Sequence, residues 1–189
     1  MSERFIISDT HFSHRGIVTF TTKNGKPERP WDTIEEMDEA LVKNWNSVVG
    51  PKDKVYHLGD FCINRSALPI CARLNGIKRL IKGNHDVLRM EEYAPYFKDV
   101  HGSYPLNEFI LTHIPLHPQA VAERWKGNFH GHLHSERVMK EPDEYSFDIG
   151  GTTIIENVID PLYLCLSAEQ VNYTPISYED AVKRWEEQQ

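Results

Sequence analysis

The sequence predicts an α/β fold that begins with a largely parallel sheet. Short apolar segments over residues 4–8, 55–58 and 77–82 have the length and composition of buried strands. Segments with helical spacing of apolar residues, over 33–49 and 66–74, separate these strands. The order strand–helix–strand–helix–strand is typical of βαβ units, which place their strands parallel. We therefore expect functional loops at the carboxyl ends of these strands, where open α/β sheets bind their ligands.

Length and composition indicate one globular domain. The chain has 189 residues, of which 40% are hydrophobic and 26% are charged. These values are typical of an ordinary folded domain, so we predict a single domain over residues 1–189. No apolar run approaches 18 residues, so we expect no membrane span. The first residues lack the basic and apolar regions of a signal peptide.

The cysteines, the net charge and the histidines limit the kinds of function that this sequence can have. Cys62, Cys71 and Cys165 are odd in number and form no C-x-x-C pair, which favours buried free thiols in a reducing cytoplasm. The net charge of -7 argues against bulk nucleic-acid binding, which needs a basic face. A small phosphorylated substrate remains compatible with a locally positive site. The ten histidines, several of them at strand ends, suggest a metal.

The first strand ends in Asp9-Thr10-His11. Side chains two residues apart in an extended chain point to the same side, so Asp9 and His11 could share one ion. As a lone tripeptide this pattern is weak. His14, three positions further on, is a candidate substrate-binding residue, with a loop or surface role as the alternative.

A loop and a helix follow. Residues 21–31 contain Gly and two prolines and are predicted to form a loop. Asp32 is the predicted N-cap of the helix over 33–49, with Glu35 completing a capping box. The pair Gly50-Pro51 ends that helix. Its aromatic and Met side chains are interpreted as core rather than as a binding site.

The second strand ends in Gly59-Asp60, so that a carboxylate again follows a strand. His57, inside the strand, is interpreted as a core histidine with a hydrogen-bond partner. Asn64 and Arg65 come soon after and are candidates for contact with a phosphate or its organic group. Arginine suits phosphate well, although a surface ion pair is an equally good interpretation of Arg65.

The third strand ends in Gly83-Asn84-His85-Asp86. Taken alone, these four residues are as compatible with a simple turn as with a site, because Gly, Asn and Asp all favour turns. A short helix over 87–93 is predicted to follow.

Histidines mark two later strand ends. An apolar strand over 109–112 ends in His113, and a strand over 127–129 leads into His130-Gly131-His132-Leu133-His134. Alternation in an extended chain would place these last three histidines on one side, with a bend of the run at Gly131 as the alternative. Further strands are predicted over 145–149 and within 152–166, and a final helix is capped by Ser177.

Five strand ends in order therefore carry oxygen and nitrogen donors suited to metal ions. In that order the blocks resemble the motifs of the calcineurin-like metallophosphoesterase family, which are D-x-H, G-D, G-N-H-[DE], a single H and G-H-x-H. The matching residues are Asp9-Thr10-His11, Gly59-Asp60, Gly83-Asn84-His85-Asp86, His113 and Gly131-His132-Leu133-His134.

The resemblance implies a four-layer αββα sandwich, with two mixed β-sheets flanked by helices and two divalent metal ions at the strand ends. It assigns one ion to Asp9, His11 and His134, the other to Asn84, His113 and His132, and Asp60 to both. His85 would be a catalytic residue that binds no metal. Asp86 is the candidate that orients His85, with a helix-capping role as the alternative.

The implied activity is hydrolysis of a phosphoester by a metal-bridging hydroxide. A phosphodiester is favoured over a phosphomonoester, and a small phosphorylated or nucleotide-like substrate over a protein. Manganese is the favoured metal, and Fe, Zn²⁺ and Ni²⁺ suit the same ligands. A homodimer is left open. Two alternatives are a metal-dependent nuclease, which the net charge disfavours, and a non-catalytic metal-binding scaffold, which the retained ligand set disfavours.

Overall fold

The computed structural model describes residues 2–140 and 158–189, which form two β-sheets with helices on their outer faces. The strands of the described residues are β1 (Arg4–Ile7), β2 (Lys54–His57), β3 (Ile77–Ile81), β4 (Asp99–His101), β5 (Ser103–Leu106), β6 (Phe109–Thr112), β7 (Gly127–His130), β8 (Tyr163–Cys165) and β9 (Ile176–Ser177). The helices are α1 (Ile34–Val48), α2 (Met90–Tyr93), α3 (Pro118–Ala122) and α4 (Tyr178–Glu186), with 3-10 helices over Arg15–Thr19 and Arg65–Arg73.

The first sheet has the order β4-β3-β2-β1-β9. Strands β1 to β4 are parallel, and β9 joins the edge of β1 in the antiparallel direction. The predicted parallel start of the fold is therefore confirmed. Because these strands run the same way, the loops after β1, β2 and β3 emerge at one edge of the sheet.

The second sheet has the order β5-β6-β7-β8, with β5 antiparallel and the other strands parallel. Just beyond β1 and β8, Ser8 pairs in parallel with Ser167. The backbone N–H of Ser8 donates to Leu166 O at 3.0 Å, and that of Ala168 donates to Ser8 O at 2.9 Å. This bridge brings the carboxyl edges of the two sheets together.

Alternation along the strands separates an inner core from two outer faces. On the inside, Phe109 of β6 stacks on Phe129 of β7 at 4.3 Å between ring centroids. Tyr56 of β2 meets Tyr104 of β5 at 5.1 Å, which joins the two sheets. On the outer face of the first sheet, the ring centroid of Trp45 in α1 lies 6.4 Å from that of His57 in β2.

Helix α3 covers the other sheet in the same way. Its Val121 packs with Ile110 of β6 and Tyr163 of β8, whose side chains point away from the shared core. The layers are thus helix, sheet, sheet and helix, and the predicted α/β sandwich of two mixed sheets is confirmed.

His57 is a core histidine, as predicted. It is fully buried, and its Nε2 lies 3.0 Å from Thr10 Oγ1, whose hydroxyl donates to Phe61 O. The Gly59 N–H donates to its Nδ1 at 3.2 Å. Burial lowers the pKa of His57 to about 3. Both ring nitrogens are therefore satisfied by a neutral imidazole.

Several element boundaries differ from the predictions. The helix predicted over 66–74 is a 3-10 helix containing Pro69, and the one predicted over 87–93 is helical only from Met90. Strands β4 and β5 were not predicted, and β5 holds Pro105 at a sheet edge, where the missing N–H is tolerated. The strand predicted over 145–149 lies outside the described residues.

Other predictions hold in the described part of the chain. Cys62, Cys71 and Cys165 are buried free thiols, and Ser177 caps α4 by accepting from the Asp180 N–H at 3.0 Å. None of the helices in residues 2–140 and 158–189 has the length and apolar character needed to cross a membrane. The single domain over 1–189 stays a prediction.

The capping box of α1 lies one residue later than predicted. Thr33, not Asp32, is the N-cap, and its Oγ1 accepts from the Glu36 N–H at 3.2 Å. In return, the Thr33 N–H donates to Glu36 Oε2 at 3.2 Å. Both residue pairs have the same i, i+3 spacing, so the sequence pattern alone does not distinguish them.

We expect Thr33→Ala to lower the free energy of unfolding by about 1 kcal/mol, because one N-terminal N–H of α1 loses its acceptor. The melting temperature should fall by roughly 2–4 °C in a chain of this size. Asp32→Ala is the matched control and should change the stability by less than about 0.5 kcal/mol. An equal loss in both variants, measured by thermal denaturation, would contradict this assignment of the cap.

Candidate metal centre

Loops at the carboxyl ends of five strands converge on one cluster of polar side chains. They follow β1, β2 and β3 of the first sheet and β6 and β7 of the second. Direct contacts connect all the predicted ligand residues in this cluster. They are Asp9, His11, Asp60, Asn84, His113, His132 and His134.

Five of these residues have left-handed backbone conformations. The φ angles are 55° for Asp9, 49° for His11, 55° for Asp60, 70° for His132 and 52° for His134. Non-glycine residues adopt this region infrequently, and when they do it often marks a functional site. The extended conformation predicted for Asp-x-His and His-x-His is therefore wrong, although the side chains of Asp9, His11, His132 and His134 do converge.

Backbone hydrogen bonds hold the first of these turns. The Asp9 N–H donates to Gly59 O at 2.9 Å, and the His11 N–H donates to Asp60 O at 3.0 Å. The loop after β1 thus lies directly against the loop after β2. Because the two loops are tied by main-chain groups, the carboxylates of Asp9 and Asp60 are brought to the same place.

Two motif glycines permit close approach of backbone to these carboxylates. A Cβ at Gly83 would lie 2.1 Å from Asp60 Oδ1, and a Cβ at Gly131 would lie 2.4 Å from Asp9 Oδ2. No side chain fits at such distances. Both glycines are therefore required by the packing around the cluster.

The first group of donors comprises Asp9, His11 and His134. The Nε2 atoms of His11 and His134 each lie 3.9 Å from Asp9 Oδ1. Asp9 Oδ1 and both ring nitrogens of His11 are buried, and none of them has a hydrogen-bond partner among the described residues. One ligand atom from each residue lies within 4.8 Å of the others. Buried polar groups are normally paired, so these atoms fit the ligand set of a cation.

The second group centres on Asp60 and His113. Asp60 Oδ2 lies 3.4 Å from His113 Nε2 and 3.6 Å from His11 Nε2, so it faces both groups of donors. His113 Nδ1 lies 2.9 Å from Leu58 O, and Nε2 lies 2.9 Å from Asn84 Oδ1. With Nδ1–H donated to the carbonyl, Nε2 of the neutral ring is an acceptor that faces Asn84 Oδ1, and these two atoms could ligate one cation.

The pKa shifts of the side chains in the cluster also indicate a site for a cation. Burial would raise the pKa of Asp60, but hydrogen bonding and charge from His113, with the His85 N–H, lower it to about 2. Burial lowers the pKa of His11 well below its ordinary value and raises that of Asp9. For His113, burial would lower the pKa, yet Asp60 and Asp9 raise it. The two carboxylates thus favour positive charge between them.

His132 completes the second group. Its ring centroid lies 5.1 Å from that of His113, and its backbone N–H donates to Asp9 Oδ2 at 2.9 Å. Burial is the largest cause that lowers the pKa of its ring. A lowered pKa favours the neutral form of the His132 ring, which is the form in which histidine binds a metal.

His85 and Asp86 have separate positions. The His85 N–H donates to Asp60 Oδ1 at 2.8 Å, while its side chain is 46% exposed with Nε2 4.0 Å from Asp60 Oδ2. Asp86 is buried, and its carboxylate accepts from the N–H groups of Asp60 (2.7 Å), Phe61 (3.0 Å) and Gly83 (2.9 Å). Asp86 therefore anchors two loops, whereas the ring of His85 faces the open side of the cluster.

The three candidate substrate residues differ in their surroundings. His14 and Asn64 line a cleft of about 500 Å³ next to the cluster, and the His14 ring lies 5.5 Å from that of His11. We call this space the His14 cleft; its other lining residues include Ser13, Arg15, Asp38 and Ser66. Arg65 is 71% exposed and forms an ion pair with Glu92 of α2, which matches its alternative interpretation.

The sequence motifs missed three residues that contact the cluster. Ser167 Oγ donates to Asp9 Oδ2 at 2.8 Å, and Glu169 Oε1 lies 3.0 Å from His134 Nδ1. Arg29 is fully buried and donates to Glu169 from Nε at 2.8 Å. No local pattern marks any of the three, because each is far in the chain from the side chain that it contacts.

Comparisons with known proteins agree with this architecture. A family model described as calcineurin-like phosphoesterase matches residues 5–153. The uncharacterized protein MJ1445 of Methanocaldococcus jannaschii is 33% identical over 194 residues, an alignment covering 97% of this chain and 91% of that protein. The Gene 66 protein of Mycobacterium phage L5 is 36% identical over 91 residues, which cover 46% of this chain and 41% of that protein.

A solved structure shares the fold. The protein of unknown function AQ665 from Aquifex aeolicus superposes with a TM-score of 0.67 at 24% sequence identity. The superposition covers 97% of this chain and 100% of the other. The two chains therefore share their fold.

We expect Asp86→Ala to lower the free energy of unfolding by about 3 kcal/mol or more, because three backbone N–H groups lose a buried acceptor. Thermal denaturation should show a melting temperature lower by roughly 6–12 °C. Glu91→Ala, an exposed change on α2, is the control and should have little effect. A variant that keeps its melting temperature but loses activity would contradict the anchoring role of Asp86.

Proposed function

The chain belongs to the calcineurin-like phosphoesterase family, and on that premise we propose that it hydrolyses phosphodiesters in preference to phosphomonoesters at a dinuclear metal site. The family implies metal-dependent phosphoester hydrolysis. The observation that supports the rest is that Asp9 Oδ1 and both ring nitrogens of His11 are buried without a hydrogen-bond partner in the described residues, while Asp60 Oδ2 lies 3.6 Å from His11 Nε2.

In this proposal Asp9, His11 and His134 hold one ion, and Asn84, His113 and His132 hold the other. Asp60 serves both, since its Oδ2 atom faces donors of each group. Two carboxylates would then balance two of the four positive charges of a pair of divalent ions. With both ions bound, the site would be locally cationic in a chain of net charge -7, which would favour an anionic phosphate.

Bound divalent ions would neutralise phosphate charge and lower the pKa of coordinated water. The chain supplies the remaining functions. Asp60 is held by the His85 N–H, so its carboxylate keeps one orientation. In this proposal the partly exposed His85 ring contacts a phosphate oxygen or gives a proton to the leaving oxygen, and its exposure beside Asp60 supports that role.

The His14 cleft is the proposed position of the organic group of the substrate. It adjoins the cluster through His14, and its volume of about 500 Å³ suits a small or nucleotide-like group. Asn64 and Arg15 offer polar contacts there, whereas Arg65 is engaged with Glu92 at the surface. Manganese is the proposed ion, since mixed oxygen and imidazole ligands suit it.

We also propose a cytoplasmic location, which the three free thiols support. A homodimer stays a prediction.

The proposal is tested by hydrolysis of an aryl phosphodiester and the matching aryl phosphomonoester, using protein stripped of metal and reloaded with Mn²⁺. We expect activity only after reloading, with the higher kcat/KM for the diester. A higher kcat/KM for the monoester would overturn the diester preference. Metal-loaded protein that hydrolyses neither ester would overturn the proposed activity, and preferred cleavage of long DNA or RNA would favour the nuclease alternative.

We expect His85→Ala to lower kcat for the aryl diester by about 10²–10⁴-fold, the range typical of a lost acid–base group. The Mn²⁺ content, measured by elemental analysis, should stay that of the unmodified protein because His85 is not a proposed ligand. His117→Ala is the control, since His117 caps α3 outside the cluster. Loss of metal from the His85 variant would contradict its role.

A further inference from the structure

An ion pair between Arg29 and Glu169 is buried beside the proposed first metal site. The Arg29 side chain is 0% exposed and the Glu169 side chain 5%, with 2.8 Å between Nη2 and Oε1. The two residues lie 140 positions apart, and Glu169 lies beyond residues 5–153, the part that the family model matches. Burying two charges is costly unless both are well paired and hydrogen-bonded. The other hydrogen bonds of Arg29 and Glu169 show what this buried pair supports.

Glu169 contacts a proposed metal ligand directly. Its Oε1 lies 3.0 Å from His134 Nδ1, so the ring donates from Nδ1–H to the carboxylate. Nε2 then carries the free lone pair, and it faces Asp9 Oδ1 at 3.9 Å. A hydrogen bond of this kind fixes both the tautomer and the orientation of a ligating imidazole.

Arg29 contacts the backbone between the other two ligands of the same site. Its Nη1 donates to Thr10 O at 2.9 Å, and its Nη2 donates to Asp9 O. These carbonyls belong to the turn in which Asp9 and His11 have left-handed conformations. The guanidinium therefore stabilises a strained backbone that aims both side chains into the cluster.

We propose that Arg29 and Glu169 are positioning residues that set the affinity of the Asp9, His11 and His134 site for its divalent ion. The inference rests on the proposed function, because it requires this site to hold an ion. The effect is expected at the first site only. In the described hydrogen bonds, neither Arg29 nor Glu169 contacts the side chains of Asn84 or His113, which belong to the second site.

The test is a calorimetric titration of Mn²⁺ into chelator-treated protein. The variant Asn84→Ala removes a ligand of the second site and so identifies the binding event that belongs to the first. We expect Glu169→Gln, which keeps the size of the side chain but removes its charge, to weaken the first event by about 10–100-fold. The second event should stay within about threefold, and excess Mn²⁺ should restore kcat.

Glu39→Gln is the matched control. Glu39 forms a bidentate ion pair with Arg73 at the surface of α1, away from the cluster. The Glu39→Gln substitution removes the same charge from another Glu–Arg pair and should change neither Mn²⁺ binding event. A general effect of lost ion pairing on the protein would appear in both variants.

A second measurement is made on the unmodified protein, and a variant serves only to assign the signal. In the Zn²⁺-loaded protein, long-range ¹H–¹⁵N spectra should show a proton on Nδ1 of His134 and none on Nε2. The His134→Gln spectrum assigns the signal. A proton on Nε2 would overturn the inference.

The outcomes separate the two proposals. If the unmodified protein binds no divalent ion, the proposed function and the positioning role both fail. If it binds two ions and Glu169→Gln binds them equally well, only the positioning role fails. Equal weakening of both events would also overturn it, since the pair would then support the fold as a whole.

Discussion

The Asp60 carboxylate is the group on which the arrangement of the cluster depends. Its Oδ1 accepts from the His85 N–H, which fixes the loop after β3. Its Oδ2 faces His11 from the first sheet and His113 from the second. The Asp60 backbone donates to Asp86 and accepts from His11. One residue thus ties together the loops of both sheets, and the other donors are placed relative to it.

The sequence predicted the chemistry of the cluster better than its geometry. The five strand-end blocks named the residues that converge in the cluster, because residue type and position along a strand are local properties, and the family resemblance supplied the proposed role of each. The left-handed turns at Asp9 and His132 were not predictable in the same way. They depend on hydrogen bonds to loops from distant strands, such as that from Asp9 N–H to Gly59 O.

In the fold, too, the elements set by local sequence were predictable and those set by distant contacts were not. Strands β1, β2 and β3 were predictable from apolar runs, whereas β4 and β5 are short and carry polar residues or proline. The helix predicted to begin at Val87 begins later because the preceding loop is tied down by Asp86. Arg29, in a loop with glycine and prolines, has the sequence context of an exposed residue. Its burial depends on Glu169, 140 residues further along the chain.

The strained backbone explains why so many supporting contacts surround few ligands. A left-handed non-glycine residue is unfavourable by itself, so turns at Asp9, His11 and Asp60 persist only when neighbouring groups stabilise them. Backbone hydrogen bonds between loops, the Asp86 carboxylate and the Arg29 guanidinium do so within the folded chain. The donor atoms are therefore already oriented before an ion arrives. An ion that binds such a site loses less of its affinity to the ordering of side chains, since folding has already met that entropic cost.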